Sequence, residues 1–412
     1  MIGSEFRLGY IECRRLLKRR LEEAPPGRIQ LLSGPRQVGK TTLLLELANK
    51  FGKTALYAAA DGPEAAVPGF WERLWTRAEQ TARAQGRAVV FLDEAHLLHQ
   101  WASRLKGEWD RLKRRRIPVH IVATGSSALR LGAGSRESLA GRFERMTLGH
   151  WPASSLVEVF KMSEQEAVET VVRMGAYPGT IALRGDLPRW MAYVRESIVE
   201  PAIGRDILAL AAVRKPAVLR QVFGVSASSP AQVVSLQKIL GQLQDAGAIE
   251  TVAHYLSLLE EAYLVAALSK YSGRAARRRS SPPKLVVLSN ALIAAMDPQG
   301  VPDLRVERAR SGQWIENACL AHAWNSGQNV TYWREEPIEV DAIIEGSWGS
   351  WAVEIKTGAV EPSDLRGLLE FTRRFDYHPL LVCNETELLA AKRVGIDAIR
   401  WQEFLLSGPP RR

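Results

Sequence analysis

The 412-residue chain is poor in cysteine, with only Cys13, Cys319 and Cys383, all far apart. That rules out a disulfide framework and paired-cysteine zinc spacing, and a reducing cytoplasm is the expected compartment. No apolar run reaches the roughly 18 residues a membrane-spanning helix needs. No charged-then-apolar leader opens the chain either, so no membrane partner is expected. The twelve tryptophans are scattered, without the regular array of a base-stacking platform. Acidic residues are in deficit, 45 against 55 basic ones, giving a net charge of +10 and a pI near 9.6. A polyanionic partner follows, nucleic acid first. The length suits two or three domains.

What the chain does have is Gly34-Pro35-Arg36-Gln37-Val38-Gly39-Lys40-Thr41-Thr42. It fits G-x-x-x-x-G-K-[ST], a loop whose main-chain N–H groups cradle phosphate. Gly34 and Gly39 permit the tight turn, Lys40 reaches the β- and γ-phosphates, and the Thr41 hydroxyl binds Mg²⁺. The spacing predicts a buried strand over 28–32 and a helix over 41–49, whose N-terminal dipole adds to anion binding. ATP and Mg²⁺ are the expected ligands.

Ala88 to Glu94 forms an apolar run ending in two acids. Asp93 is placed to support the metal and Glu94 to act as general base on the attacking water. A third strand, 119–123, ends in Thr124-Gly125-Ser126-Ser127. A small hydroxyl there, Ser126 foremost, either positions the water or caps a helix. Arg142, ahead of a strand over 146–149, is either an arginine finger reaching a neighbour's γ-phosphate or a cation at a helix end, with Arg145 as its rival.

Over roughly 11–151 this pattern resembles the AAA+ ATPases, and most of all a prokaryotic "ATP-binding protein" group with a C-terminal region of unknown function. The resemblance implies ATP hydrolysis, a helical lid and a homo-oligomeric ring such as a hexamer. Leu92-Asp93-Glu94-Ala95-His96 is also similar to DEAH-type helicases, but no second RecA-like half follows. His96 and His99 are three residues apart without a third ligand, which favours polar packing.

Past the core, 152–212 is helical in pattern, broken by Gly175-Ala176-Tyr177-Pro178-Gly179, and is the expected lid. Residues 213–272 read as helices followed by a β-wing from about Ala262, a winged-helix-like domain. The helix over 250–261 has only His254 as a cation beside Glu250, Glu260 and Glu261, which argues for packing rather than groove reading. Arg274 to Lys284 is a basic loop, either a solvated linker or a phosphate-backbone contact. Lys113 to Arg116 is a second basic cluster at a helix end.

Glu316, on a predicted helix, joins Asp341, Glu354 and Lys356 on two predicted strands. A symmetric hairpin sets Asp341 opposite Glu354, and facing carboxylates repel unless a cation intervenes. A divalent ion with Lys356 beside it would suit phosphodiester hydrolysis. Over roughly 312–401 this resembles the PD-(D/E)xK nuclease superfamily, with Asp341 and Glu354-Ile355-Lys356 matching its acid and E-x-K elements and Glu316 its helix acid. Val340 stands where that family usually has proline. Cutting, binding without cutting, and an unrelated α/β domain all stay open.

The expected architecture is therefore α/β: an AAA+ P-loop parallel sheet (7–151), a helical lid (152–212), a winged-helix-like middle (213–272) and a PD-(D/E)xK-like α/β end (285–408). The expected function is an ATPase that couples hydrolysis to DNA binding or remodelling. The alternative is a nucleotide-gated signalling or defence switch with an inactive nuclease-like domain.

Overall fold

The computed structural model describes residues 6–125, 139–208, 213–244, 247–272, 281–388, 391 and 395–410. The chain divides into two compact units, Met1–Gly149 and His150–Arg412.

The first unit is built on six strands: β1 (Arg7–Leu8), β2 (Ile29–Ser33), β3 (Ala55–Ala59), β4 (Ala88–Asp93), β5 (Val119–Thr124) and β6 (Phe143–Leu148). Their order is β1-β6-β2-β5-β4-β3, and every pairing is parallel. Every residue of β2, β4 and β5 is buried, the signature of strands covered on both faces. Four helices, α1 (Tyr10–Leu21), α2 (Lys40–Phe51), α3 (Phe70–Gln85) and α4 (Trp101–Arg114), accompany them. One face is closed by Leu74, Trp75 and Ala78 of α3 and Leu105 and Trp109 of α4, packed on Ile29, Leu31, Val90 and Ile121. Helix α4 ends in Arg111, Lys113 and Arg114, where cations complement the helix dipole. This strand order sets β2 beside β5 and β5 beside β4, so the ends of all three meet along one edge of the sheet. Ligands of open parallel sheets bind at such carboxyl ends.

The second unit begins with helices, among them Ala153–Phe160 and Glu164–Met174, the latter capped by Ser163 accepting from the Glu166 N–H. Helix Ile249–Glu261 buries Val252, Tyr255, Leu256, Leu258 and Leu259. A two-stranded ladder follows, β7 (Val265–Leu268) antiparallel to β8 (Lys284–Val287). A five-stranded sheet completes the unit: β9 (Asn329–Glu335), β10 (Ile338–Gly346), β11 (Gly349–Lys356), β12 (His378–Cys383) and β13 (Asp397–Arg400), in the order β13-β12-β11-β10-β9. β9, β10 and β11 are antiparallel neighbours, while β11, β12 and β13 run parallel. Helix Arg308–Asn325 is buried along most of its length. Its Asn317 side chain accepts from the Val287 N–H at 3.0 Å and donates to the Val287 carbonyl at 2.8 Å, fixing β8 against the helix.

β10 and β11 join through Ser347-Trp348, with Gly346 opposite Gly349. Gln328 clasps this turn, accepting from the Trp348 N–H at 3.1 Å and donating to the Ser347 hydroxyl at 2.9 Å.

Candidate active site

The loop after β2 needs its glycines for different reasons. A Cβ at Gly34 would run into the main chain of Leu148, with the carbonyl carbon at 3.1 Å and the oxygen closer still. Gly39 holds φ 89° immediately before α2, a left-handed conformation that costs glycine little. Gln37 adopts φ 61° without being glycine. Pro35 and Val38 are buried, Arg36 and Gly39 half-buried, and Gln37, Thr41 and Thr42 exposed. The Lys40 side chain is buried, and its ammonium donates to the Gly34 and Pro35 carbonyls at 3.0 and 2.7 Å.

Asp93, at the end of β4, is the hub of the site and only 3 % exposed. Its Oδ2 accepts from the Thr41 hydroxyl at 2.7 Å and the Tyr57 hydroxyl at 2.9 Å. Its Oδ1 accepts from the Thr124 hydroxyl and from the Glu94 N–H. Thr124 also accepts from the Glu94 N–H at 2.9 Å, so it ties both acids to the end of β5. Glu94 sits at φ 49°, a left-handed conformation that is costly for a residue with a Cβ and typical of functional sites. Its carboxylate lies 3.2 Å from His96 Nδ1. Burial, reinforced by the Asp93 carboxylate, pushes the Tyr57 phenol up and keeps it a neutral donor.

Strand order thus brings Lys40, Thr41, Asp93 and Glu94 together as the motif spacing predicts. Thr124 is the strand-end hydroxyl that touches the acids; Ser126 lies outside the described residues. Arg142 donates from Nε to Asp110 Oδ1 at 2.8 Å and lies over the Trp109 ring at 5.7 Å. Tyr57 and His96 escaped the motif reading. Tyr57 gave no signal because its role depends on β3 pairing with β4. His96 lies two residues from Glu94 and was read as the end of a DEAH-like stretch and as half of a histidine pair, not as a partner of Glu94. Ala95–Leu97 is a single tight turn rather than a helix, so the three-residue spacing to His99 does not have the helical basis it was given.

Residues 26–156 match the family described as an AAA domain. This is a P-loop ATPase domain.

Further along, residues 165–304 match a domain of unknown function (DUF8612) and 311–404 another (DUF4143). No curated protein matches the chain. Among solved structures, one concerned with katanin self-assembly is similar at 17% identity and TM-score 0.31, over 47% of this chain and 73% of that one. AMPPCP-bound DnaA from Aquifex aeolicus is similar at 16% identity and TM-score 0.33, over 61% of this chain and 88% of that one. No helix among the described residues is long and apolar enough to cross a membrane.

The residues of the AAA domain fit ATP with Mg²⁺. Three donor-bearing elements converge at one end of the sheet, and the hydroxyl–carboxylate pair of Thr41 and Asp93 supplies the hard oxygens Mg²⁺ prefers. A Cβ-free Gly34 lets the loop lie close against β6.

In the second unit, the β10–β11 ladder ends with Ala342 opposite Val353, and Asp341 and Glu354 follow just past that pair. Lys284, expected in a basic loop, instead opens β8 and is 5 % exposed. Asn317 holds that strand in place, and the Lys284 ammonium lies 2.9 Å from Asp341 Oδ1 and 2.7 Å from Glu316 Oε1. Asp341 Oδ2 accepts from the Ile355 N–H at 2.9 Å. Glu354 Oε1 is 3.1 Å from the Lys356 ammonium, while its buried Oε2 has no hydrogen-bond partner among the described residues. Burial alone would lower the Lys284 pKa, but Asp341 and Glu316 more than offset it and hold the ammonium charged. Burial pushes Glu354 well above the usual carboxylate range, with Asp341 adding to it. Glu316 is raised to about 7, chiefly by burial. Burial acts to raise Asp341 as well, but the Lys284 charge and the Ile355 N–H outweigh it and hold Asp341 below its ordinary value. Of the four residues singled out from sequence, Glu316 and Asp341 therefore meet at a fifth that was not, and Glu354 pairs with Lys356. The signal for it was the apolar run Leu285-Val286-Val287, which makes Lys284 the first residue of a buried strand.

Proposed function

We propose that the chain binds ATP with Mg²⁺ at Gly34–Thr42, hydrolyses it, and couples the cycle to binding or remodelling DNA. The observation that carries the reading is Asp93, which receives Thr41 from α2, Tyr57 from β3 and Thr124 from β5 while Glu94 stands beside it at the strand tip. Lys40 and the loop N–H groups bind the phosphate oxygens, and Thr41 and Asp93 hold the metal. When bound, Mg²⁺ supplies charge neutralisation across the phosphates. Glu94 accepts the proton of the attacking water, and His96 orients that carboxylate. Thr124 fixes the Glu94 backbone relative to β5, so base and phosphate loop keep one geometry.

A ring, such as a hexamer, would let Arg142 act on a neighbour's γ-phosphate, with phosphate replacing Asp110 as its partner. The net charge of +10 and the Lys113–Arg116 cluster support nucleic acid as the partner. The division into core, lid (152–212), winged-helix-like middle (213–272) and nuclease-like end (285–408) belongs to the same proposal.

The test is the ATPase rate of the whole chain with duplex, forked and single-stranded DNA over a range of salt. DNA stimulation that falls steeply with salt supports the motor. Turnover that persists in Lys40→Ala overturns the nucleotide site. A second reading, a nucleotide-gated switch whose C-terminal domain does not cut, is favoured by one observation: a lysine ammonium stands between Asp341 and Glu316. Slow turnover indifferent to DNA would support it.

A further inference from the structure

The acidic cluster of the second unit has the residue types of a metal-dependent phosphodiesterase, but its geometry does not fit a metal. Lys284 Nζ contacts both Asp341 Oδ1 and Glu316 Oε1, and it also donates to the Asp341 carbonyl at 3.3 Å. The other Asp341 oxygen is used by the Ile355 N–H. Both oxygens of the acid that would bridge to a divalent ion are therefore committed within the fold. Among the described residues, no three His, Cys, Asp or Glu side chains converge to hold a metal ion.

The lysine is not a passing surface contact. It is 5 % exposed, starts a strand paired antiparallel with β7, and that strand is held by Asn317 from the same helix that carries Glu316. Charge and backbone position are thus supplied by one device. Glu354 supplies an independent observation. It is 2 % exposed, lies just past the Ala342–Val353 pair that ends the β10–β11 ladder, and keeps one oxygen with no hydrogen-bond partner among the described residues.

We propose that Lys284 is a built-in cation standing in for a divalent ion, so that Glu316 and Asp341, with Glu354 beside them, form a closed site that takes up no metal and cuts no phosphodiester. Removing the lysine charge opens a cation site between Glu316 and Asp341, the two carboxylates it now holds. The inference does not depend on the ATPase reading, because every residue in it lies in the second unit and the metal is assayed without nucleotide.

The experiment counts Mn²⁺ bound per full-length chain, without nucleotide, by electron paramagnetic resonance of the free ion. The wild-type count should be unchanged by Asp341→Asn and by Glu354→Gln. Lys284→Ala, checked for folding by circular dichroism, should bind one more Mn²⁺ per chain, and Lys284→Ala/Asp341→Asn should lose it again. Wild-type chain and Mn²⁺ should leave supercoiled plasmid intact. The proposal is overturned if Asp341→Asn or Glu354→Gln lowers the wild-type count. It is equally overturned if folded Lys284→Ala gains no ion, or if wild type nicks plasmid in a way that Asp341→Asn abolishes. Should Lys284→Ala fail to fold, the two conservative carboxylate variants decide the matter on the wild-type background.

Discussion

Gly34→Ala gives the sharpest test of the phosphate loop. The added Cβ meets main-chain atoms of Leu148, with the carbonyl carbon at 3.1 Å and the oxygen nearer, and Gly34 also sits at φ 148°. Main chain cannot swing aside as the tip of a side chain can, so loop and strand β6 must part by about 1 Å to reach ordinary contact, at about 1–3 kcal/mol of stability. The larger effect falls on chemistry. Lys40 and Thr41 follow in the same loop, and a 1 Å misplacement of catalytic groups costs about 100-fold in rate, equivalent to about 2.7 kcal/mol of barrier. The assay is ATP turnover beside thermal unfolding, with Gly52→Ala and Gly86→Ala as controls. Those two glycines have φ 54° and 75° but nothing among the described residues within 4 Å of an added Cβ, so they carry backbone strain of about 1 kcal/mol without the clash. They should unfold at slightly lower temperature and hydrolyse normally. A Gly34→Ala chain that turns over at the wild-type rate refutes the account of the loop.

Three further outcomes are expected. Glu94→Gln should keep nucleotide binding, seen by calorimetry, and lose about 10²–10⁴-fold in turnover; wild-type turnover would remove Glu94 as the base. His96→Ala should lower kcat less than Glu94→Gln does and leave nucleotide affinity unchanged, whereas a fall in affinity with kcat intact would place His96 elsewhere. The second unit should be pH-sensitive. Burial raises Glu316 to about 7, above its ordinary value, and a carboxyl raised by folding stabilises fully below its unfolded pKa and loses that contribution as pH rises through the folded one. Unfolding temperature should therefore fall between about pH 5 and 8 and flatten in Glu316→Gln; a rise over that window would reverse the assignment.

The nucleotide core was legible because its information is local. The phosphate loop, the apolar runs of β2, β4 and β5 and the acid pair each announce themselves within a dozen residues, and parallel strands buried on both faces leave little ambiguity. The hydroxyls that complete the site were harder. Tyr57 reaches Asp93 only because β3 is the edge neighbour of β4, and strand order is not written in any one segment. The C-terminal acids were also found from local pattern, since a short hairpin fixes its own register. Lys284 was not, because its partners lie 32 and 57 positions away and an arginine run with Ser-Ser-Pro-Pro precedes it. Composition argued for a loop there, and pairing with β7 decided otherwise.

The clasp of Gln328 on Ser347-Trp348 limits how this protein can diverge. Tips of hairpins usually absorb insertions freely, but one residue added at this tip would slide β10 against β11 by a single position. Because alternate residues face opposite sides of a sheet, the slip would set a valine or isoleucine beside Asp341 where Glu354 now stands. Homologous chains should therefore keep the length of this tip constant and vary in length at other connections.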